Sequence, residues 1–370
     1  MAISFFKKKK KTNNGVAGAV YYTVTVLDIV RETEDAISIV FNNPENQIQY
    51  KPGQYITLIV NIEGEEMRRS YSLSSSPDYD QKLSVAVKEI DEGKVSKFLV
   101  NRLKPGDELK IMAPAGNFTT ELNERNARTF VLFAGGSGIT PLMSIMKSVL
   151  IAEPKSDILL VYQNRNEESV IYDGLIRDLI KEYGDRIRVK HVLSQPSDAW
   201  QGMRGRLSAD QIESIFSDEN ISREDLAVFI CGPGGMMETV ETTLDHLGID
   251  KKKRFKESFY SSKTDKENGE NLSEVTATVA ESTVTIILDH EEHEIKVRNK
   301  EFILETALDS DINMPFSCQS GICTSCRGKL LEGKVTMEEP EGLSDEELEE
   351  GYILTCVSHP ASDHIKIEMG

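Results

Sequence analysis

Hydrophobic and polar positions change rhythm twice along this chain. From residue 22 to about 120, short runs of β-branched and large apolar residues alternate with turn residues. Residues 24–30, 37–41, 55–62, 83–87 and 108–112 read as strands. Pro52-Gly53, Gly64, Pro77-Asp78, Pro105-Gly106-Asp107 and Pro114-Ala115-Gly116 punctuate them. The rhythm predicts a small antiparallel β-barrel holding one helix over 96–103. From residue 125 the period lengthens. Strand patterns at 129–134, 157–162, 186–193 and 226–230 alternate with helix patterns at 141–150, 173–183, 208–216 and 236–247. That alternation predicts right-handed βαβ units on a parallel sheet, whose ligands bind beyond the C-terminal strand ends.

Residues 261–273 are polar throughout, a linker pattern. The remaining segment opens with alternating strands at 275–279 and 283–288, passes through a helical stretch at 303–308, and enters a cysteine-bearing loop. Ser344-Asp345-Glu346-Glu347 is a capping-box signature, and Gly351 stands where that short helix would end. The expected organisation is a basic disordered tail (1–20), a barrel (21–124), an α/β domain (125–260), a linker (261–273) and an α+β domain (274–370). No internal repeat is visible.

Composition narrows the class. Apolar residues make up 39% and charged residues 28% of the 370, as in globular proteins. No apolar run reaches bilayer length. A short apolar patch precedes the five lysines Lys7 to Lys11, the reverse of a signal peptide. The net charge is −18, and residues 271–370 carry 21 Asp and Glu against 7 Lys and Arg, a net of −14. Such an acidic end disfavours nucleic acid. It reads either as a solvated face or as a surface that steers a basic protein partner.

Chemistry concentrates in the cysteines. Cys318, Cys323, Cys326 and Cys356 are spaced C-x4-C-x2-C and then 29 residues to the last, the plant-type [2Fe–2S] pattern. Structural zinc is the competing reading, but it usually uses two short knuckles. Gly321 inside the loop permits backbone N–H groups to turn toward the sulfides. The fifth cysteine, Cys231, ends a predicted strand and reads either as a core residue or as the floor of a nicotinamide site. Ligating thiolates and an isolated thiol fit a reducing, cytoplasmic setting.

Two glycine turns lie between predicted strands and helices. Gly135-Gly136-Ser137-Gly138-Ile139-Thr140-Pro141 lacks the third glycine of the usual dinucleotide fingerprint, and alone it is also compatible with an ordinary tight turn. Cys231-Gly232-Pro233-Gly234-Gly235 repeats the arrangement on the same sheet, and together they point to a dinucleotide. In the barrel, Arg68-Arg69-Ser70-Tyr71-Ser72 supplies a cation, an aromatic ring and hydroxyls, which suit a flavin, although Arg and Tyr on a strand are also ordinary surface and rim residues. Strand alternation puts Arg69 and Tyr71 on one face, Ser70 and Ser72 on the other. Gly93-Lys94-Val95-Ser96 opens a helix whose N-terminus suits an anion.

On these motifs the chain resembles the ferredoxin–NADP reductase superfamily, in particular reductases ending in a plant-type ferredoxin domain. The likeness runs from about Tyr22 to the end. It rests on Arg69-Ser70-Tyr71-Ser72, Gly93-Lys94-Val95-Ser96, the two glycine turns, Glu257-Ser258-Phe259, the cysteine loop and Glu350-Gly351-Tyr352-Ile353-Leu354-Thr355-Cys356. It is nearest to reductase components of phenylacetyl-CoA epoxidase and ketosteroid 9α-hydroxylase. The resemblance implies an FAD-binding barrel, an NAD(P)H-binding α/β domain and a β-grasp-like [2Fe–2S] domain. It implies FAD rather than FMN, electron flow from NAD(P)H to a protein acceptor such as an oxygenase component, and Ser72, Cys231 and Phe259 about the reacting atoms. Arg165, at a strand end, is either a surface residue or a reader of the NADPH 2′-phosphate. The alternatives are the reductase of a ring-hydroxylating dioxygenase, or an iron–sulfur carrier or redox sensor without NAD(P)H activity.

Overall fold

The computed structural model describes residues 20–91, 93–259 and most of 281–369. Residues 1–19, 92, 260–280, 289–290, 300, 311, 313, 317–320, 322–323, 339, 341, 344 and 370 lie outside the described residues. The expected tail (except Val20), the linker, the strand over 275–279, Ser344, Cys318 and Cys323 fall among these.

The first unit contains β1 (Tyr21–Arg31), β2 (Ala36–Phe41), β3 (Tyr55–Ile62), β4 (Glu65–Ser72), β5 (Leu83–Lys88) and β6 (Glu108–Met112). They form an antiparallel sheet in the order β4-β3-β6-β1-β2-β5. A Leu73–Val85 bridge joins its two edges and curls it into the predicted barrel. Helix α1 (Lys94–Arg102) packs Val95, Leu99 and Val100 into the barrel core beside Ile56, Leu58 and Val85.

The second unit is a parallel sheet, β10-β9-β8-β7-β11-β12. Its strands are β7 (Thr129–Gly135), β8 (Asp157–Asn164), β9 (Ile187–Leu193), β10 (Met203–Arg204), β11 (Leu226–Cys231) and β12 (Arg254–Glu257). Helices α2 (Ile139–Ala152), α3 (Asp173–Tyr183), α4 (Ala209–Asp218) and α5 (Gly234–His246) cover both faces. This explains the continuous apolar runs of β7, β8 and β11, since strands buried on both faces do not alternate.

The third unit, α+β as expected, is a mixed sheet, β14-β13-β19-β15-β17, with a two-stranded β16–β18 ribbon. Its elements are β13 (Glu281–Leu288), β14 (Glu291–Arg298), α6 (Ile303–Asp309), β15 (Arg327–Glu332), β16 (Val335–Met337), α7 (Asp345–Glu349), β17 (Tyr352–Leu354), β18 (Ser358–Pro360) and β19 (His364–Met369). Central β13 and β19 run parallel, and α6 buries Ile303, Leu304 and Ala307 against them. Gly351 has φ +85°, and its N–H donates to the Leu348 carbonyl at 3.0 Å, ending α7 as the pattern predicts.

A polar seam fastens barrel to parallel sheet. Ser76 Oγ and Ser148 Oγ lie 2.6 Å apart, Ser144 Oγ donates to the Ser75 carbonyl, and Lys147 Nζ pairs with Asp80 Oδ2. On the same side of the interface, Glu32 accepts from Ser38 Oγ at 2.7 Å and from the Tyr172 backbone N–H at 3.2 Å.

Candidate functional site

The seam sets the C-terminal edge of the parallel sheet against β4. Register places Cys231 between Ala134 on β7 and Glu257 on β12. Across the domain boundary, Ser72 Oγ donates to Glu257 Oε2 at 3.2 Å. Ser72 and Glu257 are 5% and 2% exposed, so this bond is shielded from water. Cys231 is fully buried in the nucleotide-domain core. Phe259, two residues beyond Glu257, is 41% exposed. Glu257 is the residue that motif reading left without a role. Its signal was the Glu257-Ser258-Phe259 run at the end of an edge strand.

The two glycine turns are packed into each other. A Cβ on Gly138 would lie 2.1 Å from the Cys231 carbonyl oxygen, and one on Gly135 would lie 2.4 Å from Pro233 Cδ. A Cβ on Gly232 would lie 2.9 Å from Gly135 N. These three glycines therefore answer to chain–chain approach. Gly136 differs. It has φ +52°, its carbonyl accepts from Tyr162 Oη at 3.0 Å, and a Cβ there would meet nothing within 4 Å. Thr140 Oγ1 donates to the Ser137 carbonyl at 2.8 Å, and Thr140 and Pro141 are buried in the first turn of α2. Pro233 and Gly234 are exposed at the start of α5. Neither α2 nor α5 has a side chain capping its N-terminus.

On β4, Tyr71 packs on the barrel core, and burial pushes its phenol pKa up with Arg69 opposing. Arg69 is exposed, its Nη1 donating to the Arg68 carbonyl at 2.7 Å. Ser70 Oγ lies 3.0 Å from Thr57 Oγ1 on the opposite face. At α1, Gly93 is the N-cap without a side-chain cap, Lys94 is exposed and Val95 is core. Ser96 Oγ donates to the Gly93 carbonyl at 3.1 Å, which fastens the turn. Arg165 is exposed just past β8, and its carbonyl accepts from the Gln195 N–H at 2.7 Å.

Of the four ligand candidates, Cys318 and Cys323 lie outside the described residues. Cys326 and Cys356 are 1% and 4% exposed. The Arg327–Leu354 pair and bonds from Thr355 N and Oγ1 to the Cys326 carbonyl, at 3.2 and 3.0 Å, bring those two segments together. Gly321 has φ +74°, the left-handed backbone anticipated for the loop. Two buried thiols converging from separate segments fit an iron–sulfur cluster, because thiolates are its ligands. The open backbone at Gly136 and the uncapped starts of α1, α2 and α5 fit the phosphates of a flavin and a dinucleotide.

Barrel, parallel sheet and ferredoxin domain in this order are the architecture of a modular NAD(P)H reductase. Family models described as an oxidoreductase FAD-binding domain, an oxidoreductase NAD-binding domain and a 2Fe-2S iron-sulfur cluster binding domain match residues 23–120, 132–242 and 286–361. The chain is 37% identical to the ferredoxin reductase component of 3-ketosteroid-9-alpha-monooxygenase from Rhodococcus rhodochrous, over 93% of this chain and 96% of that protein. It is 31% identical to a component of 1,2-phenylacetyl-CoA epoxidase from Escherichia coli, over 94% of this chain and 97% of that protein. Phthalate dioxygenase reductase shares the fold, with TM-score 0.62 and 23% identity over 95% of this chain and 98% of that one. The chain belongs to the family of FAD- and [2Fe–2S]-dependent reductase components of oxygenase systems, within the ferredoxin–NADP reductase superfamily. Its cofactors are FAD and a [2Fe–2S] cluster, and its electron donor is NAD(P)H. Among the described residues no helix is long and apolar enough to cross a membrane.

Proposed function

We propose that this reductase supplies single electrons to the oxygenase component of a multicomponent mono-oxygenase or epoxidase, in the cytoplasm. When bound, FAD takes a hydride from NAD(P)H, and the cluster hands the electrons on singly. The observation that carries the reading is the buried Ser72–Glu257 bond beside Cys231, where barrel and nucleotide sheet meet. Ser72 and Glu257 hold a defined donor and acceptor there, and their burial excludes water from the meeting point of flavin and nicotinamide. Cys231 shapes the floor, and Phe259 covers the open side.

The remaining roles follow from position. Arg69, Ser70, Tyr71 and Ser72 hold the flavin, with Gly93, Lys94, Val95 and Ser96 presenting the start of α1 to its phosphates. Gly135, Gly136, Ser137, Gly138, Thr140 and Pro141, with Gly232, Pro233 and Gly234, form the dinucleotide turn pair. Arg165 reads a 2′-phosphate, which favours NADPH. Cys318, Cys323, Cys326 and Cys356 ligate the cluster. The domain limits proposed with these roles are 21–124, 125–260 and 274–370, each wider than the family match inside it at 23–120, 132–242 and 286–361.

Cys356→Ala tests the division of labour. The variant should retain FAD, be reduced by NAD(P)H and pass electrons to ferricyanide, yet fail with the oxygenase and with cytochrome c. Retention of every activity would take the cluster off the electron path. Loss of every activity would make the cluster a folding element.

A further inference from the structure

One contact ties the flavin barrel to the cluster loop, and no motif announces it. The Arg68 guanidinium lies over the Phe316 ring, 4.9 Å from its centroid. Phe316 immediately precedes the segment that carries Cys318. Arg68 belongs to β4, paired without a bulge to Ile59 of β3. Strand alternation puts it on the same face as Ser70 and Ser72, opposite Tyr71. Its side chain is only 12% exposed. Glu66 Oε1 accepts from Arg68 Nε at 3.1 Å and from Nη2 at 2.8 Å. Nη1 is buried with no hydrogen-bond partner among the described residues. Leaving a guanidinium nitrogen unsatisfied is costly, so the position is held by what the ring and Glu66 return.

We infer that Arg68 and Phe316 are positioning residues that dock the cluster loop on the barrel, and that this docking sets the rate of electron transfer from flavin to cluster. The inference rests on the electron path proposed above. Two electrons reach the flavin together as hydride from NAD(P)H. They would leave one at a time, each reducing the oxidised cluster by one electron, with the protein acceptor re-oxidising the cluster between the two transfers and the flavin's proton passing to solvent. Neither residue takes part in the hydride step, so the contact governs exit and not entry. Glu66 neutralises the arginine without covering its other face, which leaves the planar cation free to stack.

A desolvated cation–π contact shifts a docked-to-undocked ratio by about five- to thirty-fold. The test is a double-mutant cycle on the holoprotein, with Arg68→Met, Phe316→Leu and both together, followed by anaerobic stopped-flow after mixing with NADPH or NADH. Flavin bleaching should keep its wild-type rate. Cluster reduction should slow by about five-fold or more in each single variant and no further in the double, because the two residues share one interaction. Phe316→Trp, which keeps a π face, should restore the rate. Hydrogen exchange on the same proteins should show β4 amides near Arg68 losing protection in Phe316→Leu, a readout independent of electron flow. The EPR signal of the dithionite-reduced cluster checks that the metal site is intact. If Phe316→Leu loses its cluster, Arg68→Met decides the matter from the barrel side, where no cluster ligand lies. Independent, multiplying effects of the two substitutions, or wild-type cluster reduction in Arg68→Met, overturn the inference. A wild-type protein whose flavin bleaches while its cluster stays oxidised overturns the electron path instead, and β4 exchange in the Phe316 variant then decides the docking contact alone.

Discussion

Asp80→Asn probes the seam that holds barrel and nucleotide sheet together. Lys147 on α2 is 3% exposed, and its ammonium pairs with Asp80 on the barrel side. Burial pushes the lysine pKa down, and Asp80 opposes that shift. Asparagine keeps an acceptor for the Ser76 N–H, which donates to Asp80 Oδ2 at 2.7 Å, but removes the countercharge. Breaking a buried pair from one side costs about 3–5 kcal/mol, and the 28% exposure of Asp80 argues for about 3. The sign with pH follows from linkage. A lysine whose folded pKa lies below its unfolded value gives a fold that binds fewer protons than the unfolded chain, so stability rises with pH between the two values. Without Asp80 that window widens downward. The variant should therefore recover stability as pH rises toward the ordinary lysine value, with a limiting slope of about 1.4 kcal/mol per pH unit. Urea unfolding followed through Trp200, the single tryptophan and a resident of the nucleotide domain, measures both quantities. Lys147→Met, which removes the buried ammonium and keeps a long apolar stem, should cost under about 1 kcal/mol or stabilise. A neutral-pH midpoint unchanged in Asp80→Asn, or a deficit indifferent to pH, refutes the reasoning.

Other outcomes follow from single positions. Gly138→Ala should abolish measurable NAD(P)H binding in a titration, because its Cβ would sit 2.1 Å from a backbone oxygen. Gly235→Ala, with nothing within 4 Å, should stay within about 0.5 kcal/mol of wild type in a thermal melt. Arg165→Ala should raise KM for NADPH and leave that for NADH unchanged, and equal effects would remove Arg165 from 2′-phosphate recognition. Glu153 is fully buried, and although burial alone would raise its pKa, bonds from Arg128, Ser156, Asn126 and Asn123 outweigh it and hold the carboxyl below the usual range. Its stabilisation is thus present above the ordinary glutamate pKa and lost as pH falls through the folded value. Glu153→Gln should melt earlier than wild type at neutral pH, by a gap that closes in acid.

Much of this was legible in the residues. Strands 55–62 and 108–112 keep their predicted limits, because turn residues bound them on both sides. The cysteine spacing and the glycine turns needed no tertiary information to be noticed. The seam was not legible. Ser144, Lys147 and Ser148 have the look of a helix's wet face, yet they are buried because the barrel's 74–80 loop covers them. Strand β14 was missed since Ile295 and Val297 alone supply its buried face, among charged residues. Glu257 was noticed only as part of the Glu257-Ser258-Phe259 run, with no role of its own. Only the docking of β12 beside β4 makes it a buried acceptor for Ser72.

The end and the middle of β4 meet different domains, and on the proposed electron path this would separate hydride entry from electron exit. Ser72 bonds to Glu257 of the nucleotide domain, while Arg68, four residues earlier, stacks on Phe316 of the ferredoxin domain. A strand rises about 3.3 Å per residue, so the two contacts lie about 13 Å apart along one rigid element and on one face. Between them stand Arg69, Ser70 and Tyr71, the residues proposed to hold the flavin. A cofactor bound along this stretch would have the dinucleotide turns toward one end and Phe316 toward the other. Both neighbouring domains are thereby positioned against the same strand, so neither depends on the other for its distance to the flavin. Because β3 braces β4 at every residue from Glu65 to Ser72, a shift at either contact is resisted by the whole ladder. On this reading the barrel strand is the shared reference against which the hydride and electron steps are set.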